Sequence, residues 1–185
     1  MIKKLTIPVD HGNRNMKTTH FLFTTGLSST DRKPAGQEDF LQIDGKYYVL
    51  SDTRIPYQRD KTQDQRFSIL TRFAIAKELE RTGQVTEEDV VQVSLPIGVP
   101  PKHYSELAER YREYFLGDGK MQDLVYNGKT YHICIQDVAV YPQAYAAMMT
   151  EGEKIRKIPK AVGIDIGGFT SDFLLMRSGS PRLDY

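Results

Sequence analysis

The sequence predicts an α/β fold, a mixed sheet with flanking helices and a small inserted α+β subdomain. Three observations predict it. Apolar strand-like runs near both ends close on an Asp-x-Gly turn, Val9-Asp10-His11-Gly12 and Ile164-Asp165-Ile166-Gly167. Between them, Phe67, Ile69, Leu70, Phe73, Ala74, Ala76 and Leu79 recur with helical spacing. Asp44-Gly45 and Asn127-Gly128 separate β-prone runs and mark two-residue hairpins.

Taken in order, residues 4–10 read as a strand ending in Asp10, and 11–15 as a turn whose Gly and two Asn tolerate positive φ. Residues 16–25 read as a second strand and 26–38, with Gly26, Pro34 and Gly36, as a loop. Strands follow at 40–43 and 46–50, a polar irregular stretch at 51–66, and a helix over 67–81 closed by Gly83. The β-branched run 90–95 is a short strand that Pro96-Ile97-Gly98-Val99-Pro100-Pro101 should break. A helix is expected over 103–116, ended by Gly117-Asp118-Gly119. Its face of Tyr104, Tyr111, Tyr114 and Phe115 reads as core. Strands at 122–126 and 129–135 flank Asn127-Gly128, and 138–140 runs into Pro142. Residues 142–151 read as a helix with Pro near its first turn, and 161–165 and 169–176 as strands joined by Gly167-Gly168.

Composition excludes several classes. The 185 residues suffice for one ordinary domain or two small ones, and 39% hydrophobic with 26% charged residues is ordinary globular usage. A net charge of +1 carries no global signal for nucleic acid or an anionic membrane. The single Cys134 permits neither an internal disulfide nor a zinc pair, reads as a small buried hydrophobe, and fits a reducing, cytoplasmic setting. No run approaches the roughly 18 apolar residues of a membrane span, and the N-terminus lacks the apolar stretch of a signal peptide.

The chemistry is expected in the two Asp-x-Gly turns. Each places a carboxylate at the end of an apolar strand. The chain then turns through Gly, where no Cβ blocks a ligand and successive backbone N–H groups form an anion-binding concavity. The carboxylate repels phosphate but can hold Mg²⁺, usually through water. The first turn adds Asn13 and Lys17, the latter able to reach a β- or γ-phosphate as a point charge. The second adds Gly167, Gly168, Phe169 and Thr170, with Asp172 beyond. His11, in the first turn, reads as a solvated turn residue.

With those residues in view, Asp10-x-Gly12-Asn13 and Lys17 resemble the first phosphate motif of the actin, Hsp70 and sugar-kinase superfamily, and Asp165-x-Gly167-Gly168-Phe169-Thr170-x-Asp172 its second. Val138-Ala139-Val140-Tyr141-Pro142-Gln143-Ala144 resembles the start of its connecting helix, and Leu95-Pro96-Ile97-Gly98 a strand end of the plasmid-segregation actins of the ParM/StbA type. The resemblance implies an RNase H-like ATPase subdomain from 1–17 and 96–185, with an inserted small subdomain at 18–95. It implies ATP and Mg as cofactors, with Asp10 and Asp165 holding hydrated Mg²⁺. Gly12, Asn13, Lys17, Gly167, Gly168, Phe169 and Thr170 would contact phosphates, Gln143 would orient the attacking water, and Asp165 would help polarise it. It further implies a cytoplasmic, filament-forming ATPase that segregates plasmid or phage DNA through a DNA-binding adaptor, without touching nucleic acid or membrane itself. The family's adenosine-binding half is expected to be absent from these residues, which alone should bind nucleotide weakly. A sugar or acetate kinase, an FtsA- or PilM-like scaffold and a nuclease stay open as alternatives.

Overall fold

The computed structural model describes residues 1–36 and 39–183. Its main sheet has seven strands: β1 (Ile2–Thr6), β5 (Leu27–Thr30), β6 (Phe40–Ile43), β7 (Lys46–Leu50), β8 (Val90–Val99), β9 (Gln122–Tyr126) and β10 (Lys129–Pro142). They lie in the order β1-β8-β10-β9-β6-β7-β5. β1, β8 and β10 are parallel and the rest join antiparallel, so the sheet is mixed as expected. Two three-stranded sheets complete the fold: β2 (Asp10–His11), β3 (Asn15–Lys17) and β4 (Leu22–Thr24), and β11 (Lys160–Ile166), β12 (Ser171–Arg177) and β13 (Ser180–Arg182).

Helices α1 (Arg66–Thr82) and α2 (Tyr104–Leu116) follow their apolar periodicity. Along β8 the odd positions from Val91 to Val99 are buried, and they share one core with Phe67, Leu70, Phe73, Leu107, Tyr111 and Phe115. The aromatic face of α2 is therefore core. The two short helices α3 (Tyr145–Met149) and α4 (Gly152–Lys157) pack on the last sheet around Ile155, Leu174 and Met176. Among the described residues no helix is long and apolar enough to cross a membrane. Both hairpin dipeptides adopt positive φ at both residues: 50° and 78° at Asp44-Gly45, 52° and 87° at Asn127-Gly128.

Several expectations are corrected. The break at 96–101 does not occur, because β8 runs on to Val99 between two partners and Pro96 supplies its carbonyl to Val9 N–H at 3.0 Å. Residues 90–95, the end of the expected insert, are the first half of this strand, paired with β1 and β10. The first strand is interrupted at Pro8, yet Ile7 N–H still reaches the Ser94 carbonyl at 3.0 Å, so the missing donor of Pro8 faces away from β8. Residues 16–25 form two strands around a turn, and the loop over 26–38 contains β5, which pairs with β7; its last two residues, Gln37 and Glu38, lie outside the described residues. Pro142 ends β10 instead of opening a helix, being held opposite Val99. Cys134 is half-buried, its thiol directed at the Gly119 carbonyl.

Asp64 anchors the start of α1. Its carboxylate accepts the Arg66 N–H at 2.8 Å and the Arg66 guanidinium at 2.7 Å. The side-chain bonds from Arg66 bring its carboxyl from the ordinary 3.8 down to about 2. A lowered carboxyl adds stability above its unfolded value and loses it as pH falls through the folded one. Stability should therefore drain between pH 3.8 and about 2. Asp64→Asn keeps an acceptor for the helix but should flatten this slope in denaturant titrations; an unchanged slope would show that the pair contributes nothing.

Candidate functional site

The buried residues Ile7 and Val9 carry the chain along β8 and deliver Asp10 at its end. In the β2–β3 hairpin Asp10 stands opposite Lys17, and Lys17 Nζ lies 2.9 Å from Asp10 Oδ2. That hydrogen bond raises the Lys17 pKa, with Asp165 adding a weaker pull in the same direction. The intervening loop is tight: a Cβ on Gly12 would sit 2.4 Å from the Asn15 carbonyl oxygen. The Gly12 carbonyl in turn accepts the Thr25 hydroxyl at 2.7 Å.

The second loop is the turn between β11 and β12. Gly167 N–H donates to the Thr170 carbonyl at 2.8 Å, and Thr170 Oγ1 lies 3.3 Å from Asp172 Oδ2. Asp165 and Asp172 are paired across the hairpin. Burial raises the Asp172 carboxyl, and the charge of Asp165 pushes in the same direction. The two loops abut, since a Cβ on Gly168 would stand 2.7 Å from the Arg14 Cβ.

Asp10, Gly12, Asn13, Lys17, Gln143, Asp165, Gly167, Gly168 and Thr170, all predicted from sequence, line one cavity of about 480 Å³. Asp10, Lys17, Gln143 and Asp165 also border an apolar cavity of about 450 Å³ beside it, so these four side chains form the partition between the two. Phe169 is the exception: its ring is about half exposed, away from the cavity, with the Arg54 guanidinium 5.1 Å from its centroid. Gln143 is held by its N–H to the Val99 carbonyl at 2.8 Å. A Cβ on Gly98 would come within 3.2 Å of its Cγ, so the glycine leaves that side chain its room.

His11 corrects the expectation of a solvated turn residue. It is fully buried and stacks on Phe115 at 4.5 Å. The Thr71 hydroxyl donates its proton to the Phe67 carbonyl at 2.7 Å, so it accepts from His11 Nε2–H at 2.7 Å. Nδ1 then faces no partner among the described residues, and burial holds the imidazole neutral, with its pKa well below the usual range. The first loop is thus pinned into the core one residue after Asp10.

Sequence reasoning missed the cations of the cavity wall. Arg14 comes from the first loop, Arg59 and Lys61 from the irregular segment before α1, and Lys102 from the 3-10 turn Pro101–His103. None lies on a periodic element, and no local signal in the sequence marked them. The donors suit a mostly hydrated Mg²⁺, which takes few protein ligands: Asp10 and Asp165, with Asp172 also on the wall, and among the described residues no group of three or more His, Cys, Asp or Glu placed to chelate a metal directly.

The family model described as the actin like proteins N terminal domain matches residues 8–145. Among curated proteins none matches. Among solved structures, the apo pSK41 ParM protein superposes with a TM-score of 0.75 at 14% identity, covering 97% of this chain and 64% of its own. Ta0583, an archaeal actin homolog, gives 0.74 at 18% identity, covering 97% of this chain and 60% of its own. The AlfA filament bound to AMPPNP gives 0.70 at 16%, covering 97% and 67%. The chain therefore spans less than two thirds of the length of the first and second of these. At such identities the likeness establishes the fold.

Proposed function

We propose, given that this chain belongs to the actin-like proteins and carries their N-terminal domain, that the whole protein is a cytoplasmic, filament-forming ATPase that segregates plasmid or phage DNA through an adaptor. The observation that carries the nucleotide reading is the meeting of Asp10 and Asp165 on one cavity, with backbone donors and cations around it. An AlfA filament bound to AMPPNP and a Ta0583 complex with ADP support it by analogy of fold.

In this reading Asp10 and Asp165 would hold hydrated Mg²⁺, which would supply charge neutralisation at the phosphates. Gly12, Asn13, Gly167, Gly168 and Thr170 present donors, and Lys17, now paired with Asp10, swings to a β- or γ-phosphate when one arrives. Phe169 lends its backbone rather than its ring. Gln143, a neutral amide and a poor base, positions the attacking water, and Asp165 helps polarise it. Residues 1–17 and 90–185 act as the ATPase subdomain, 90–95 being paired with β1 and β10, and residues 18–89 as its insert. The adenosine wall belongs to a further half of the protein, so these residues alone bind nucleotide weakly.

Light scattering of the full-length protein with Mg-ATP, Mg-ADP and no nucleotide tests the proposal. Scattering that rises with ATP is expected; ATP turnover stimulated by a sugar or acetate without scattering would instead favour a kinase. Gln143→Ala should slow turnover by on the order of 10²-fold while filaments still form. Loss of filaments with normal turnover would contradict the role given to Gln143.

A further inference from the structure

We infer that Lys61 is a ligand of the terminal phosphoryl group, the residue by which the cavity distinguishes a nucleoside triphosphate from a diphosphate. This deepens the ATP reading above and rests on it. Lys61 is 5% exposed, whereas Arg14, Lys17, Arg59 and Lys102, the other cations of the cavity, are exposed. Lys17 already has Asp10, and Arg59 has Glu106. The Lys61 ammonium has one hydrogen bond among the described residues, to the His11 carbonyl, and its Nζ lies over the Phe67 ring at 5.2 Å from the centroid. No carboxylate among the described residues forms an ion pair with it. Asp10 and Asp172 pull on it only from farther away, while burial pushes its pKa from 10.5 down to about 8.

A buried cation without a counter-ion is costly, and proteins keep one where an anion completes it. The two distant charges that favour it belong to different loops, Asp10 to the first and Asp172 to the second. Lys61 lines the same cavity as both phosphate-binding turns, where the end of a phosphate chain held by both would lie. A hydrogen bond to the His11 carbonyl alone needs only a neutral donor. The backbone around Lys61 is braced for a fixed position: Lys61 N–H donates to the Tyr111 hydroxyl at 3.1 Å, and Asp60 pairs with Arg110 at 2.6 Å.

The test titrates full-length wild type, Lys61→Met and Lys61→Gln with Mg-ATP, Mg-ADP, and Mg-ADP plus inorganic phosphate. Met keeps an apolar side chain of similar length over Phe67 and drops the charge; Gln keeps a donor for the His11 carbonyl and drops the charge. Each should weaken ATP by about tenfold or more, the scale of a charge-assisted hydrogen bond. ADP should change by less than about threefold. Phosphate should compete with ATP in the wild type and not in the variants if the site takes the free anion as well. ATP and ADP weakened equally, or neither weakened in Lys61→Gln, would overturn the inference while leaving the ATP reading intact. Wild type that binds neither nucleotide would overturn both. If Lys61→Met lowers the melting temperature without nucleotide, Lys61→Gln carries the comparison.

Discussion

Asp165→Ala is expected to lower ATP turnover of the full-length protein by about 10²–10⁴-fold, the range associated with a positioned side chain that activates the attacking water. Loss of an Mg²⁺ ligand adds to it. The same change should not weaken the fold. Asp165 stands opposite Asp172 across the β11–β12 hairpin, and its charge adds to the effect of burial in raising the Asp172 carboxyl. Like charges directly opposite on a sheet destabilise it. Removing one should leave the melting temperature unchanged or slightly higher, and should return the Asp172 carboxyl toward its ordinary range. Reduced turnover with an intact melting curve isolates chemistry from folding. Turnover within about twofold of wild type would remove Asp165 from the site.

Gly12→Ala should be the most damaging single methyl in the first loop. The added Cβ would lie 2.4 Å from the Asn15 carbonyl oxygen, a backbone atom that cannot rotate away. The loop has little room to yield. Its Gly12 carbonyl is bonded by Thr25, its Arg14 carbonyl accepts Thr25 N–H at 3.0 Å, and His11 is buried against Phe115. Overpacking of this kind costs about 1–3 kcal/mol. Shifting the N–H groups should also lower nucleotide affinity by more than about tenfold. Gly45→Ala makes the control. A Cβ added there would meet nothing within 4 Å, but φ is +78°, so it should lose a little stability and no affinity. Equal nucleotide affinity in Gly12→Ala and wild type would mean that the first loop does not hold phosphate.

Local signals were legible where short-range sterics decide the outcome. Asp44-Gly45 and Asn127-Gly128 turn as their dipeptides require, and Gly83 ends α1 with φ at 61°. The apolar spacing from Phe67 to Leu79 marked the buried face of α1, although Ile75 and Glu78 are buried as well, because the β3–β4 turn covers its other side through Thr18 and His20. Pro96 misled because a proline reads as a break. Between the segment around Val9 and β10 it remains in a strand, where paired neighbours outweigh one missing donor. His11 misled because turn residues are usually wet, whereas here α1 and α2 close over it.

Turn chemistry and apolar period act over a few residues, and they were enough to mark the pair of Asp-x-Gly turns and the types of element that deliver them. Three other features come from tertiary packing alone: Asp10 and Asp165 share a cavity, Gln143 stands in its wall opposite Gly98, and the buried Lys61 lines that cavity with both loops. These depend on the pairing of β1, β8 and β10 and on the packing of the segment before α1 against Tyr111. Proximity across more than a hundred residues is created by sheet register and side-chain packing, which leave no local mark on the chain.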